Sequence, residues 1–147
     1  MISIVEYPRV VETPCVPVVP PFGELAGTCL EMIRFIQDRS GLGLAAPQIG
    51  DFRTYFVVNY GPKPLIVINP SVTLLIEGRV TNQEGCYSSL GKMYEVKRAR
   101  KIQATWFDLL GKRQSAILKG DLAIIFQHEY QHCQNSCIAQ TGKEVKK

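Results

Sequence analysis

The sequence predicts a single α+β domain over residues 1–147, with helices towards both ends of the chain and strands mostly between them. Two kinds of pattern predict this fold class. Apolar residues recur at helical spacing near residue 30 and after residue 120, whereas the middle of the chain has short runs rich in β-branched and aromatic residues. The length, with 46% of residues apolar, suits one domain with its own hydrophobic core.

The N-terminal part of the chain is predicted to be an extended segment followed by a helix. Five prolines between Glu6 and Gly23 disfavour a helix there. From Glu24 to Arg39 the apolar residues have helical spacing, and Ser40-Gly41 ends the pattern. We therefore expect an N-terminal packing helix with one buried face, formed by Leu25, Cys29, Met32, Ile33 and Ile36.

The remaining patterns predict strands and a second helix. The predicted strands are TYFVVNY (54–60), LIVIN (65–69), VTLLI (72–76), and a hairpin of KIQATWFD (101–108) with RQSAIL (113–118). Asp121 is predicted to cap a helix whose apolar face contains Leu122, Ile125 and Phe126. The last residues, from about 140, are predicted to be a frayed tail.

Composition excludes several classes of function. Seventeen basic against 13 acidic residues is no signature of specific nucleic-acid binding, and a small basic excess is ordinary for a solubilised surface. The first ten residues do not resemble a signal peptide, and no apolar run reaches the length of a membrane span. Five cysteines without scaffold spacing indicate reduced thiols. We expect a cytoplasmic protein with no membrane partner.

The most specific local pattern is HEYQH at residues 128–132, within the predicted second helix. Residues four apart share one helix face, so His128 and His132 are placed to bind one metal ion. Glu129 then lies beside that ion and is placed to move a proton without being a ligand. The alternative is a chance spacing of two ordinary histidines, but the chain contains only these two. This favours the metal site.

A catalytic site of this type needs a third protein ligand and one open position. Fifteen residues follow His132, and Glu144 is their only carboxylate. An unrelated HExxH peptidase would have to use Glu144, in a lysine-rich segment. The chain has no third histidine, so this motif by itself leaves the third ligand open.

Two further patterns lie upstream, GLGLAAPQ at 41–48 and EGCYS at 84–88. Each alone is weak, because the first could be a close-packed turn and the second a turn with a buried cysteine. Together with HEYQH they resemble the three motifs of peptide deformylases, in that family's order and at similar separations. Supporting matches are Glu6-Tyr7-Pro8 and Asn69-Pro70.

The resemblance implies antiparallel sheets around a central helix that bears the HExxH motif. It also implies that Cys86, His128 and His132 bind one divalent metal ion, naturally Fe(2+), for which Ni(2+), Co(2+) or Zn(2+) can substitute. The implied reaction removes the N-formyl group from formyl-methionine on newly made polypeptides and releases formate.

Roles for further residues follow from the same resemblance. Glu129 would act as general base and then acid, while the Gln48 amide and the Tyr87 backbone N–H would stabilise the developing oxyanion. Backbone near Leu42, Gly43 and Gly85 would pair with the substrate as an added strand. Leu42, Ile124 and Ile125 would line the methionine pocket, although apolar helix residues are more often plain core.

The chain departs from the family pattern at Gln131, where the family usually has aspartate. Residue 131 points away from the metal face, so we expect a hydrogen bond to a neighbour such as Arg98, and we expect Gln131→Asp to be neutral or favourable. Cys133-Gln134-Asn135 replaces the usual Leu and Gly, and Cys133 and Cys137 are predicted to be packing residues. The chain resembles the short forms of the family, without a long C-terminal helix, known from phages and some other lineages.

The predicted partners are N-formyl-methionyl nascent peptides, with a transient stay near the ribosome. A catalytically silent relative that binds chain ends is the main competing interpretation. The intact set of Gln48, Cys86, His128, Glu129 and His132 favours the enzyme.

Overall fold

Two antiparallel sheets and three helices form the described part of the chain, residues 2–74 and 78–146, in the computed structural model. The helices are α1 (Ala26–Asp38), α2 (Gly120–Cys133) and α3 (Ile138–Thr141). The strands are β1 (Gly43–Ala45), β2 (Tyr55–Val58), β3 (Leu65–Leu74), β4 (Arg79–Glu84), β5 (Tyr94–Ala99), β6 (Lys101–Phe107), β7 (Arg113–Lys119) and β8 (Lys143–Glu144). Among the helices of the described residues, none is long and apolar enough to cross a bilayer.

The large sheet has the strand order β1-β2-β3-β6-β7. All four residues of β2 are fully buried, which explains its continuous apolar sequence. Strands β6 and β7 form the predicted hairpin, with Lys101 opposite Lys119 and Phe107 opposite Arg113. Its turn is closed by Asp108, whose carboxylate accepts hydrogen bonds from two backbone N–H groups of the turn.

Strand β3 replaces the two strands predicted at 65–69 and 72–76. The chain continues through Asn69 and Pro70, but the pairing with β6 shifts register between Ile68 and Ser71. Pro70 cannot donate to the ladder and Asn69 has φ of +50°, so the irregularity lies where the sequence suggested a break. Residues 75 and 76 of the second predicted strand lie outside the described residues.

The small sheet, β4-β5-β8, was not predicted. Strand β4 has the sequence RVTNQE, in which Val80 is the only large apolar residue, so it lacks the composition used to recognise strands. Strand β5 alternates buried and exposed residues, but one of its buried residues is Arg98. Because a buried position of β5 is occupied by a charged residue, the apolar alternation that would identify the strand is incomplete in the sequence.

Helix α1 packs its predicted apolar face on the large sheet, where Cys29, Met32 and Ile36 join Tyr55 and Val57 in one buried cluster. This confirms the N-terminal packing helix.

Helix α2 lies between the two sheets and contacts both. Ile125 and Phe126 are buried as predicted. The predicted cap is wrong: Lys119 is the N-cap residue, and Asp121 lies exposed in the first turn without a capping hydrogen bond. Aspartate is favoured at the N-cap and also in the first turn, where its charge interacts favourably with the helix dipole. The residue type alone therefore does not distinguish the two positions.

The two ends of the chain differ in how well they were predicted. Between Glu6 and Gly23 the backbone is mostly irregular, with a bridge from Val16 to Arg53 and a short 3-10 turn at Arg9–Val11. At the other end, the expected frayed tail is corrected as far as Glu144. Helix α3 and strand β8 follow α2, and β8 pairs with Tyr94 and Glu95 of β5.

Candidate metal centre

Cys86, His128 and His132 come together at one point beside α2. One ligand atom from each lies within 4.8 Å of the others, and the Cys86 Sγ is 3.4 Å from the His132 Nε2. The two histidines are one helical turn apart, with ring centroids separated by 5.6 Å. Cys86 follows β4, where the Ser89 hydroxyl accepts a hydrogen bond from its backbone N–H.

These three side chains fit a tetrahedral transition-metal site. With metal–sulfur and metal–nitrogen distances of about 2.3 Å and 2.0–2.1 Å, tetrahedral ligand atoms lie about 3.5 Å apart. The observed 3.4 Å between sulfur and nitrogen agrees with that value. Glu144, the alternative third ligand, is not in the cluster and instead lies 3.6 Å from the Lys92 ammonium.

His128 is held by Glu84, the first residue of the EGCYS motif, for which no role was predicted. The Glu84 Oε1 is 2.7 Å from the His128 Nδ1, so Nε2 is left to face the Cys86 sulfur. Arg98 donates two hydrogen bonds to Glu84, at 2.8 Å and 3.0 Å. Burial alone would raise the pKa of Glu84, but the hydrogen bonds from His128 and Arg98 lower it to about 2. The carboxylate is therefore ionised.

The two histidines have opposite protonation preferences without a metal. Burial alone would lower the pKa of His128, but the Glu129 carboxylate, the Cys86 sulfur and the Glu84 carboxylate raise it to about 10. Burial and the nearby positive charges of His128 and Arg98 hold the pKa of His132 well below its ordinary value. A metal ion would thus displace a proton from His128, and binding should weaken as the pH falls.

Glu129 is buried next to the ligand cluster. Its Oε1 has no hydrogen-bond partner among the described residues. Burial raises the pKa of Glu129 to about 7, although the positive charge of His128 opposes the rise. A carboxyl group with that pKa can accept and return a proton near neutral pH.

Two glycines of the GLGLAAPQ segment make room for the other two motifs. A Cβ atom on Gly43 would lie 2.6 Å from the Glu129 Oε2, and one on Gly41 would lie 1.9 Å from the Tyr87 hydroxyl. Neither position can hold a larger residue without displacing its neighbour. The predicted role of Gly43 is backbone contact with substrate, and the fit against Glu129 is a second reason for glycine at this position.

Gln48 is 1% exposed and points at the metal centre. Its Nε2 is 3.2 Å from both the Cys86 sulfur and the Ser88 hydroxyl, and its Oε1 accepts a hydrogen bond from the Ala45 N–H. These contacts fix which end of the amide faces the sulfur, because the backbone N–H can only donate. Ser88, which had no predicted role, holds the amide in place.

Gln131 lies away from the ligands, and its Oε1 accepts a hydrogen bond of 3.0 Å from the Arg98 guanidinium. The predicted partner of Gln131 is confirmed. Its Nε2 also donates to the hydroxyls of Ser136 and Thr141, at 3.0 Å and 2.8 Å.

A cavity of about 610 Å³ opens onto the cluster. Two strands with an unpaired edge border it, since β1 ends the large sheet and β4 ends the small sheet. The Leu42 carbonyl accepts the Asn59 N–H, so by the alternation of an antiparallel ladder the polar backbone groups of Gly43 face the open edge. The lining includes every predicted substrate-contacting residue, namely Leu42, Gly43, Gly85, Ile124 and Ile125. It also includes polar residues with no predicted role, among them Tyr60, Asn82 and Asp121.

Comparison with known proteins agrees with this geometry. Residues 1–147 match the sequence model of the polypeptide deformylase family. The chain belongs to this family. Its members are metal-dependent enzymes that remove N-formyl groups from newly made peptides, and the predicted family, enzyme class and α+β fold are confirmed.

Relatives match most of the chain in sequence and in structure. The peptide deformylase of Dictyoglomus turgidum is 37% identical over 114 residues, which are 78% of this chain and 74% of that protein. Peptide deformylase 1 of Clostridium perfringens is 38% identical over 104 residues, 69% of this chain and 70% of its own. The crystal structure of the Thermotoga maritima peptide deformylase superposes with a TM-score of 0.89 at 28% identity, covering 100% of this chain and 99% of that one.

Proposed function

We propose that this chain is an active peptide deformylase that hydrolyses the formyl amide of formyl-methionyl peptides, giving formate and a free N-terminal amine. The observation that carries the proposal is the buried Glu129 carboxyl beside the Cys86, His128 and His132 cluster, at the base of an open cavity. A silent relative would not need a buried carboxyl at that point whose Oε1 has no partner among the described residues.

We propose Fe(2+) as the natural metal ion, with Ni(2+), Co(2+) or Zn(2+) able to substitute, held by Cys86, His128 and His132. When bound, such an ion activates water and polarises the formyl carbonyl. One soft thiolate and two imidazoles are the donor set that these metals accept.

Glu129 moves the protons of the reaction. It takes one proton from the water that attacks the formyl carbon, and it then gives that proton to the nitrogen as the carbon–nitrogen bond breaks. The carboxyl is buried and its Oε1 has no hydrogen-bond partner among the described residues. This oxygen is therefore available to accept the proton from the attacking water.

Gln48 and the backbone N–H of Tyr87 stabilise the oxygen that gains negative charge as the carbonyl carbon becomes tetrahedral. The Gln48 Nε2 is already directed at the Cys86 sulfur from 3.2 Å, and Ser88 holds it there. A preorganised donor of this kind needs no reorientation during the reaction.

The substrate backbone would lie between the two open strand edges, pairing with Gly43 on one side and with backbone near Gly85 on the other. The methionine side chain would contact Leu42, Ile124 and Ile125, all of which line the cavity. We propose that the substrates are the N-termini of nascent polypeptides, met close to the ribosome in the cytoplasm.

The test is formate release from formyl-Met-Ala-Ser by protein prepared anaerobically with iron. We expect activity in the wild type, and we expect Cys86→Ala to lose both metal and activity. Cys15→Ala is the matched control, since Cys15 is also half-buried but lies outside the ligand cluster. Full metal content in Cys86→Ala would overturn the proposed ligand set, and a metal-loaded wild type that released no formate would support the silent relative.

A further inference from the structure

Gln131 lies between the metal helix and the C-terminal segment of the chain. Its Oε1 accepts from Arg98, and its Nε2 donates to Ser136 and to Thr141 in α3. Guanidinium groups only donate, so the amide oxygen must face Arg98 and the amide nitrogen must face the two hydroxyls. Both ends of this side chain are therefore used in one orientation.

The hydrogen bonds continue from Arg98 to the metal centre. Arg98 donates to Glu84, and Glu84 is paired with the Nδ1 of His128 at 2.7 Å. Arg98 and Glu84 are both buried, whereas Thr141 is exposed at the surface. The series Thr141, Gln131, Arg98, Glu84, His128 runs from the protein surface to a candidate metal ligand, and each link is 3.0 Å or shorter.

We propose that Gln131 is a positioning residue that ties α3 to the orientation of His128, through Arg98 and Glu84. This proposal rests on the proposed metal site. The histidine ring can rotate about its side-chain bonds, and Glu84 restricts that rotation only if Glu84 is itself held. Arg98 holds Glu84 with two hydrogen bonds, and Gln131 fixes the remaining end of the guanidinium.

Aspartate, the usual family residue, cannot make the same contacts from position 131. It is one methylene shorter, and it has no N–H group to donate to Ser136 and Thr141. The sequence alone suggested that Gln131→Asp would be neutral or favourable. The geometry reverses that expectation, because in this chain the amide joins Arg98 on one side to Ser136 and Thr141 on the other.

The experiment measures the release of Co(2+) to a chelator from the loaded full-length protein, together with the visible absorption of the bound cobalt. We expect Gln131→Leu to release cobalt about tenfold faster and to change the absorption spectrum, as is typical when a group that supports a ligand is lost. Gln131→Asp should also release cobalt faster than the wild type. Thr141→Val should accelerate release roughly threefold, and Thr141→Ser, which keeps the hydroxyl, should restore the wild-type rate.

Gln103→Leu is the matched control. Gln103 also donates a side-chain hydrogen bond to a serine, Ser115, but it lies on the β6–β7 hairpin outside the metal centre. It should leave cobalt release unchanged, and the KM for formyl-Met-Ala-Ser should stay near the wild-type value in all variants.

Two results would overturn different statements. A wild type without thiolate-to-cobalt absorption would overturn the metal site itself. A wild type with that absorption, combined with an unchanged spectrum and release rate in Gln131→Leu, would overturn the positioning role and leave the metal site standing.

Discussion

The large and small sheets of this protein are held by different interactions. Two clusters of buried apolar side chains join the large sheet to α1 and α2. Among the described residues, the small sheet has a separate cluster of three buried apolar residues, Tyr94, Val96 and Ile138. Its other buried contacts include the hydrogen bonds of Glu84 with Arg98 and of Ala99 with Gln127. We therefore expect the large sheet to supply most of the stability, and the small sheet to supply residues that support the candidate metal site.

Helix α2 belongs to both regions. Phe126 contacts Phe56 and Trp106 of the large sheet, with ring centroids 4.9 Å and 5.5 Å apart. His128 and Gln131 contact Glu84 and Arg98 of the small sheet. Substitutions on the first face should therefore lower the free energy of unfolding, and substitutions on the second should lower metal affinity or turnover.

The largest expected effect is that of Phe126→Ala, which should reduce the free energy of unfolding by about 3–5 kcal/mol. Phe126 is fully buried between two aromatic rings, so its removal leaves a cavity. Urea unfolding of the metal-free protein measures the change. Ile117→Ala, at a half-exposed position of the same sheet, should change stability by less than about 0.5 kcal/mol. Equal effects of the two would contradict the comparison.

Gln48→Ala should lower kcat/KM because it removes one hydrogen-bond donor to the oxyanion. The expected loss of transition-state stabilisation is about 3 kcal/mol. Steady-state formate release is the measurement, with Gln114→Ala on the distant hairpin as the control. A loss smaller than about threefold would remove Gln48 from that role.

Glu129→Ala should keep the metal but lose about a hundredfold in turnover, or about 2.7 kcal/mol. It removes a buried carboxyl that lacks a full set of partners among the described residues, so stability should not fall with activity. Metal content and turnover are measured on the same sample. Near-normal turnover with the metal retained would exclude the proposed proton transfer.

The smallest of these effects is expected for Glu84→Gln, which should weaken metal affinity by about ten- to a hundredfold. The amide keeps the shape of Glu84 but loses the charge that holds His128 and Arg98. Competition with a chelator measures the affinity. Unaltered affinity would mean that His128 is oriented without Glu84.

The same variant tests the pH dependence of folding. The pKa of Glu84 is about 2 in the folded protein, below its ordinary value, so its contribution to stability is present above pH 4.5 and is lost as the pH falls towards 2. The metal-free Glu84→Gln protein should therefore lose less stability than the wild type over this acidic range. Identical acid unfolding curves would contradict the depressed pKa.

Local patterns were enough to predict α1, α2 and the β6–β7 hairpin, and to place His128 and His132 on one helix face. Cys86 was added only by the resemblance to the deformylase motifs. Helical periodicity and the spacing of His128 and His132 depend on residues close together in the chain. Strand β4 was missed because its sequence is largely polar, and β5 because the buried Arg98 interrupts the apolar alternation of Tyr94 and Val96. The contact of Glu84 with His128 joins residues 44 positions apart, so only the folded chain reveals it.

The tight fit of the two glycines has a consequence for how this sequence can change. Gly41 is limited by Tyr87, and Gly43 is limited by Glu129, so each of the other two motifs imposes a steric limit on the first. The three segments therefore cannot be exchanged one at a time with those of a relative whose side chains differ at these points. Gly43→Ala should therefore lower the free energy of unfolding less in a Glu129→Gly background than in the wild type. Substitutions at residues 41 and 43 would therefore have to be combined with changes at residues 87 and 129, in natural relatives and in engineered variants alike.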